Sequence, residues 1–104
     1  MLIYEVNLEV NSDTEKEFKS WLDHHIVELL RTPGFKEAKW YALEQDKPGK
    51  VLYSVHYYVT DEAALDSYLK NHAPRFRADG LERFPGKYTA HRRVLTLVKK
   101  FSTQ

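Results

Sequence analysis

The sequence contains no cysteine, so disulfide bonds, thiolate metal sites and a cysteine nucleophile are all excluded. It has four glycines and four prolines in 104 residues, and no linker or repeat divides it. No apolar run approaches the ~20 residues that span a bilayer, and the N-terminus lacks the pattern of a signal peptide. We therefore expect one soluble, cytoplasmic domain over residues 1–104, with residues 99–104 as a polar tail.

Neither sign of charge is in excess, since 16 basic and 15 acidic side chains give a formal net charge of +1. The overall charge therefore indicates neither a nucleic-acid nor a membrane partner. The charge is unevenly spread, however, because residues 75–104 carry 8 basic and only 2 acidic side chains. Such segregation can attract an anionic ligand, but it more often reflects ion pairs between neighbouring elements.

The most strand-like stretch is Val51–Thr60, which is rich in β-branched and aromatic residues and has no glycine or proline. One face is apolar and consists of Val51, Tyr53, Val55, Tyr57 and Val59. The other face is mixed rather than charged and consists of Leu52, Ser54, His56 and Tyr58. A strand with one face in water would carry charges there, so we expect a central strand covered on both faces.

The other elements follow from periodicity and from breaking residues. Residues 2–10 alternate as a strand, and the three- and four-residue spacing of apolar side chains predicts a helix from about Asp13 to Arg31. Ser12 and Glu15 match a capping box at its start, and Pro33 and Gly34 end it.

Beyond that helix we expect a hairpin, a helix and a last strand. The hairpin joins Phe35–Gln45 to the central strand through a turn at residues 46–49. Thr60 or Asp61 caps the second helix, which Pro74 interrupts before a further turn at residues 74–79. Lys87–Val98 is the last strand.

This order is that of the ferredoxin-like βαββαβ fold, an α+β class with a four-stranded antiparallel sheet and two helices on one face. Right-handed crossovers are expected to place the first and third strands side by side and parallel in the centre. The other face carries Ile3, Leu52, Tyr58 and either Trp40 or Tyr41, a patch of the size that marks an interface. The simplest cover is a second copy, which makes the protein a homodimer.

Four stretches resemble the dimeric α+β-barrel superfamily and, within it, a group of short bacterial proteins of unknown function. They are Ile3–Asn7, Pro33–Phe35, His72–Leu81 and Arg92–Leu95, of which His72–Leu81 is the most specific. The resemblance implies the ferredoxin-like fold and the dimer. It implies no activity, because that group has none assigned.

A polar cluster on the open face is the first candidate site for a small organic ligand. The central strands bring together Glu5, Asn7, Ser54, His56 and Tyr58. A buried polar group without a hydrogen bond costs about 1–3 kcal/mol, so the cluster serves either packing or a ligand. A histidine there can act as an acid or base near neutral pH. In the packing alternative, Glu5 pairs with an arginine and His56 bonds to Tyr58 or Ser54.

Arg92 and Arg93 are further candidates for ligand binding. Consecutive strand residues point to opposite faces, so only one of them can reach Glu5, and the pattern leaves open which. An arginine in the barrel can hold a carboxylate or phosphate. The alternative is an ion pair with Glu5 or Glu9.

An enzymatic alternative also comes from the resemblance. Cofactor-independent monooxygenases and haem-degrading enzymes of this fold use an asparagine of the first strand with a histidine and a tryptophan of the second helix. Asn7 and His72 match the first two, but Trp21 and Trp40 both lie outside the second helix. A third alternative is a structural dimer whose barrel is filled by side chains.

Metal and nucleic acid are not expected as partners, and neither is a cofactor. His24, His25 and Glu28 have a metal-compatible spacing, but no second ligand pair lies nearby in the sequence. The arginines and phenylalanines of residues 75–84 are interleaved with acidic residues, and the RNA-binding sheet signature is missing. We interpret this segment as a structural flap at one end of the barrel.

Overall fold

The computed structural model describes residues 1–44 and 47–104. Its strands are β1 (Leu2–Asn11), β2 (Phe35–Ala42), β3 (Lys50–Val59) and β4 (Tyr88–Thr96). Its α-helices are α1 (Glu15–Leu29), α2 (Glu62–Asn71) and α3 (Ala73–Arg83). The strands form one sheet in the order β2-β3-β1-β4, which confirms the predicted ferredoxin-like α+β fold.

All neighbouring strands in this sheet are antiparallel, including β1 and β3. The expectation that β1 and β3 run parallel is therefore wrong. The crossover through α1 makes β1 and β2 run in the same direction, and the hairpin between β2 and β3 then reverses the chain. The predicted hairpin is confirmed, although Gln45 and Asp46, the predicted strand end and first turn residue, lie outside the described residues.

Helix α1 begins later and ends earlier than its sequence pattern predicts. A short 3-10 helix, Ser12–Thr14, precedes it, and no side chain in the described chain caps its first turn, so the predicted capping box is wrong. Glu15 instead accepts a 2.7 Å hydrogen bond from the Tyr53 hydroxyl. After the helix, Gly34 takes a φ of 88°, a conformation that glycine adopts without steric cost.

The second helical region consists of two helices rather than one helix and a single turn. Asp61 caps α2, because its carboxylate accepts a 2.8 Å hydrogen bond from the Ala64 backbone nitrogen. Pro74 lies in the first turn of α3, where a missing backbone N–H costs nothing. Helix α3 then continues to Arg83, and the segment predicted to close the barrel packs instead on the helix-covered face, where Phe76 is buried.

The core lies between the sheet and the three α-helices. Alternate residues of the inner strands face the helices, among them Tyr4, Leu8 and Val10 of β1 and Tyr53, Val55, Tyr57 and Val59 of β3. The Tyr68 ring of α2 contacts the rings of Tyr4 and Phe35 at centroid distances of 5.7 and 5.0 Å. Of the helices in the described residues, none is long and apolar enough to cross a membrane.

Candidate functional site

The sheet face that no helix covers is built from cross-strand rows of side chains, and we call it the open face. The two inner rows are polar and comprise Lys39, His56, Glu5 and Arg93, and Tyr41, Ser54, Asn7 and His91. The two end rows hold most of the apolar groups and comprise Glu37, Tyr58, Ile3 and Leu95, and Leu43, Leu52, Glu9 and Thr89. Tyr41 is thus the open-face aromatic, whereas Trp40 packs against Tyr53 on the covered face.

Glu5 is the centre of the polar rows, and its side chain is almost fully buried although it lies on the open face. Its carboxylate accepts a 2.8 Å hydrogen bond from Asn7 Nδ2 and another from Arg93 Nε. His56 Nε2 lies 3.0 Å from the other carboxylate oxygen. Burial by itself raises the pKa of the Glu5 carboxyl. The hydrogen bonds from Asn7 and Arg93 and the positive charge of Arg93 outweigh burial and hold that pKa below its ordinary value.

The register assigns the two arginines to opposite faces. Arg93 lies opposite Glu5 and pairs with it, as the packing alternative expected. Arg92 points to the covered face. His56 contacts Glu5 rather than Tyr58 or Ser54, and its ring lies 5.1 Å from the ring of Tyr41. The Tyr58 ring is covered by Lys39, whose Nζ lies 5.3 Å from the ring centroid.

Ser54 is a buried polar group whose hydrogen-bonding capacity is unused. The residue is 6% exposed, and its hydroxyl has no hydrogen-bond partner among the described residues. Leaving such a group unpaired costs about 1–3 kcal/mol. Together with Glu5, Asn7, His56 and Arg93 it forms what we call the open-face cluster.

A second concave site, the sheet–helix cavity, lies on the covered face. Its volume is about 40 Å³, and its lining includes Tyr4, Tyr57, Tyr68, His25, Arg77 and Arg92. A cavity of this size holds about three water molecules, given that one needs about 10–15 Å³. A larger ligand enters only if the helices that line the cavity move away from the sheet.

Hydroxyls and guanidinium groups dominate the polar chemistry of the sheet–helix cavity. Arg77 Nη2 donates a 3.2 Å hydrogen bond to the Tyr4 hydroxyl. Burial raises the pKa of the Tyr57 and Tyr68 phenols. In residues 1–44 and 47–104, no carboxylate lies within ion-pair distance of Arg92. The positive charge of Arg92 acts against the rise in the pKa of both phenols.

His25 borders the sheet–helix cavity and stacks on Trp21 at a ring distance of 4.6 Å. Burial lowers the pKa of the His25 imidazole, although the charges of Asp79 and Glu28 act against that effect. Trp21 in turn donates a 3.0 Å hydrogen bond to Asp79. The neighbouring His24 contacts the Ser20 carbonyl oxygen on the surface. The described side chains include no group of three or more that could hold a metal ion.

The structure brings together five of the eight candidate residues as the open-face cluster, with Tyr58 in the adjacent end row. It places the other two, His72 and Arg92, on the opposite side of the sheet. His72 lies between α2 and α3, where its ring is 6.5 Å from that of Tyr68, so it is on the opposite side of the sheet from Asn7. Sequence reasoning missed the cavity, because its tyrosines read as ordinary apolar positions of β1, β3 and α2.

Solved structures of dimeric α+β-barrel proteins share this fold. SnoaB, a cofactor-independent oxygenase from Streptomyces nogalater, has a TM-score of 0.71 at 20% identity, over 98% of either chain. The heme degrader MhuD from Mycobacterium tuberculosis, solved with two hemes in its active site, has a TM-score of 0.64 at 17% identity, over 98% of this chain and 100% of that one. An EthD-family protein from Bacillus halodurans has a TM-score of 0.63 at 15% identity, over 89% and 97% of the two chains.

Comparison of sequences identifies a family but no curated relative. No curated protein matches the chain. A family model described as a domain of unknown function, DUF4286, matches residues 1–98.

Proposed function

This chain belongs to the DUF4286 family of unknown function, and we propose that it forms a homodimer that binds a small organic molecule between the two open faces. The site in each protomer is the open-face cluster of Glu5, Asn7, Ser54, His56 and Arg93, with Tyr58 at its border. The dimeric barrels of the structural neighbours support this arrangement, because their fold is the same.

The unpartnered hydroxyl of Ser54 is the observation that carries the proposal. It is buried on a face that no helix covers, in the polar row next to that of Glu5. In a purely structural sheet, an alanine at this position avoids the cost of an unpaired hydroxyl. The hydroxyl is covered by neighbouring groups of its own protomer, so a ligand reaches it only when they move aside. A hydrogen bond to the ligand then removes the same cost.

The arrangement of the rows supports a second copy as the cover. Apolar groups lie in both end rows and polar groups in the two inner rows. A two-fold axis that runs along the strands places each row opposite its own copy, and one that runs across them exchanges the rows from end to end. In both cases apolar rows meet apolar rows and polar rows meet polar rows, so the face is complementary to itself.

Thermal unfolding of wild type and Ser54→Ala in the presence of a metabolite panel tests the binding site. Without ligand, Ser54→Ala is expected to be neutral or to raise Tm, because it removes an unpaired hydroxyl. A ligand at a hundred times its Kd adds about 2.7 kcal/mol to the stability of the wild type, and less to the variant. Thr89→Val, in an end row of the same face, is the matched control. A Ser54→Ala protein with an undiminished ligand response would contradict the proposed site.

A second candidate function is an oxygenase or haem-degrading activity in the sheet–helix cavity. The observation that favours it is Arg92, a cation without a carboxylate partner among the described residues, facing buried phenols. Such a group can stabilise the anion of a phenolic substrate. SnoaB and MhuD support this candidate through their fold alone, since Asn7 and His72 do not lie on the same side of the sheet.

Arg92 and Arg93 offer a matched pair that separates the two candidates, because they are adjacent in sequence and on opposite faces. Haem binding is followed by the Soret band, and oxygen uptake is measured with a phenolic substrate. Activity in the cavity requires loss in Arg92→Gln and retention in Arg93→Gln. If the wild type shows neither haem binding nor oxygen uptake, this candidate is rejected. A dimer that responds to no ligand in either assay favours the filled barrel of the third alternative.

A further inference from the structure

The two polar rows of the open face contain more positive than negative charge. Their one carboxylate is Glu5, and their two permanent cations are Lys39 and Arg93. His56 and His91 add further positive charge whenever they are protonated. Each open face therefore has an excess of at least one positive charge in its polar rows at neutral pH.

Pairing of two open faces doubles this excess and removes it from water. Charges that leave water must be paired or hydrogen-bonded, because desolvation of an unpaired ion costs several kcal/mol. Both carboxylates in the polar rows of such a dimer are already committed to Arg93, Asn7 and His56 of their own protomers. The other two carboxylates of the open-face rows, Glu9 and Glu37, lie in the end rows, and Glu9 is paired with Lys47. An anion within the polar rows therefore has to come from a ligand.

The geometry of Arg93 leaves a site for that anion. Nε of its guanidinium donates the hydrogen bond to Glu5, and within the described part of the chain neither Nη nitrogen donates a hydrogen bond. The Arg93 side chain is 66% exposed on the open face. The Nη edge of a guanidinium can bind a carboxylate through two parallel hydrogen bonds.

From these observations we infer that the ligand of the open-face cluster is an organic acid with a second polar group. This inference rests on the proposed function. The carboxylate of the acid binds Arg93, and its second polar group binds the Ser54 hydroxyl. Ser54 and Arg93 lie on β3 and β4, with β1 between them, and in neighbouring rows. Their backbones are therefore about 10 Å apart across the strands and about 7 Å along them, or about 12 Å in all. The arginine side chain shortens that span, which fits a molecule of the size of a hydroxylated aromatic acid.

A panel of hydroxylated carboxylic acids, each with its primary amide, tests the charge requirement by calorimetry on the full chain. The two members of a pair have the same shape and differ by one negative charge. We expect the acids to bind at least tenfold more tightly than their amides, with an affinity that falls as salt is added. In Arg93→Gln the preference for the acid is expected to vanish, whereas Arg31→Gln, at an exposed position just after α1, keeps it.

The outcomes separate this inference from the proposed function. If amides or other neutral metabolites bind as well as the acids and Ser54→Ala weakens them, the site stands and the organic acid is overturned. If no acid binds the dimer, the organic acid is likewise overturned. If the chain is a monomer in which Ser54→Ala changes no ligand response, the proposed function itself is contradicted, whether or not acids are preferred to amides. An acid preference that survives in Arg93→Gln contradicts the contact between the carboxylate of the acid and Arg93.

Discussion

Glu5 is the residue on which the open face depends, because three neighbouring side chains converge on its carboxylate. Arg93 and Asn7 donate hydrogen bonds to one of its oxygens, and His56 Nε2 lies 3.0 Å from the other. The cost of burying the carboxylate is offset by these partners, which is why its pKa lies below the ordinary value despite burial. The stability of this face therefore depends on the charge of one group.

Replacement of Glu5 by glutamine is expected to reduce the free energy of unfolding by about 1–3 kcal/mol at pH 7. A carboxyl whose pKa is lower in the folded chain stabilises the fold above its unfolded pKa of about 4.5 and loses this contribution as the pH falls through the folded pKa. The difference between wild type and Glu5→Gln should thus shrink below pH 4.5. Denaturant unfolding across pH 3–7, with Glu37→Gln as the exposed control, measures it. A difference that does not change with pH would contradict this role.

Strand alternation predicts most of the open-face cluster from the sequence. It placed Glu5, Asn7, Ser54 and His56 together because side chains on one face recur at every second position. The same rule could not choose between Arg92 and Arg93, since apolar residues follow on both faces of β4. The unpaired state of Ser54 depends on the packing of its neighbours, which no local pattern encodes.

At the scale of elements, the contact between α1, α3 and β4 depends on Gly80. A Cβ atom at this position would lie 2.3 Å from the Tyr88 hydroxyl oxygen and 3.0 Å from the Trp21 ring. Helix α3 can approach the sheet only because glycine has no side chain. This close approach explains why a residue of low helix propensity occurs in the middle of a helix.

The Gly80→Ala variant is expected to be less stable by about 1–3 kcal/mol, as for other overpacked cores. Helix propensity alone predicts the opposite, a gain of about 1 kcal/mol. Tyr88→Phe removes the atom in closest contact, so the double variant should recover part of the loss. Chemical denaturation of the four proteins of this double-mutant cycle measures the coupling. A Gly80→Ala protein more stable than wild type would mean that α3 does not pack at this distance.

The order of helices and strands could be predicted because hydrophobic periodicity differs between them. The errors lie where tertiary contacts override local signals. Glu15 bonds to Tyr53 instead of closing a capping box with Ser12, and α3 extends through Gly80 because its packing supports it. The sheet–helix cavity could not be predicted, since it arises only where α1, α2, α3 and the sheet meet.

At the scale of the whole molecule, the segment after β4 is the clearest apolar surface outside the sheet. Leu97, Val98 and Phe101 are exposed, and Leu97 and Val98 border a groove with Ile3 and Tyr58 of the open face. In the proposed dimer this segment packs against the partner. Deletion of residues 97–104 is therefore expected to weaken the dimer at least tenfold, whereas deletion of residues 102–104 should not. Equal dimer Kd values for the two truncations would remove the segment from the interface.

Sedimentation equilibrium of the wild type and two arginine variants tests the burial of the open face most directly. Leu52 lies in an end row of the open face, and Leu81 is exposed on α3. The wild type and Leu81→Arg are expected to sediment at twice the 12.3 kDa chain mass at micromolar concentration, and Leu52→Arg as a folded monomer. A wild type that stays monomeric, or a Leu52→Arg protein that dimerises as tightly as the wild type, would contradict the pairing of the two open faces.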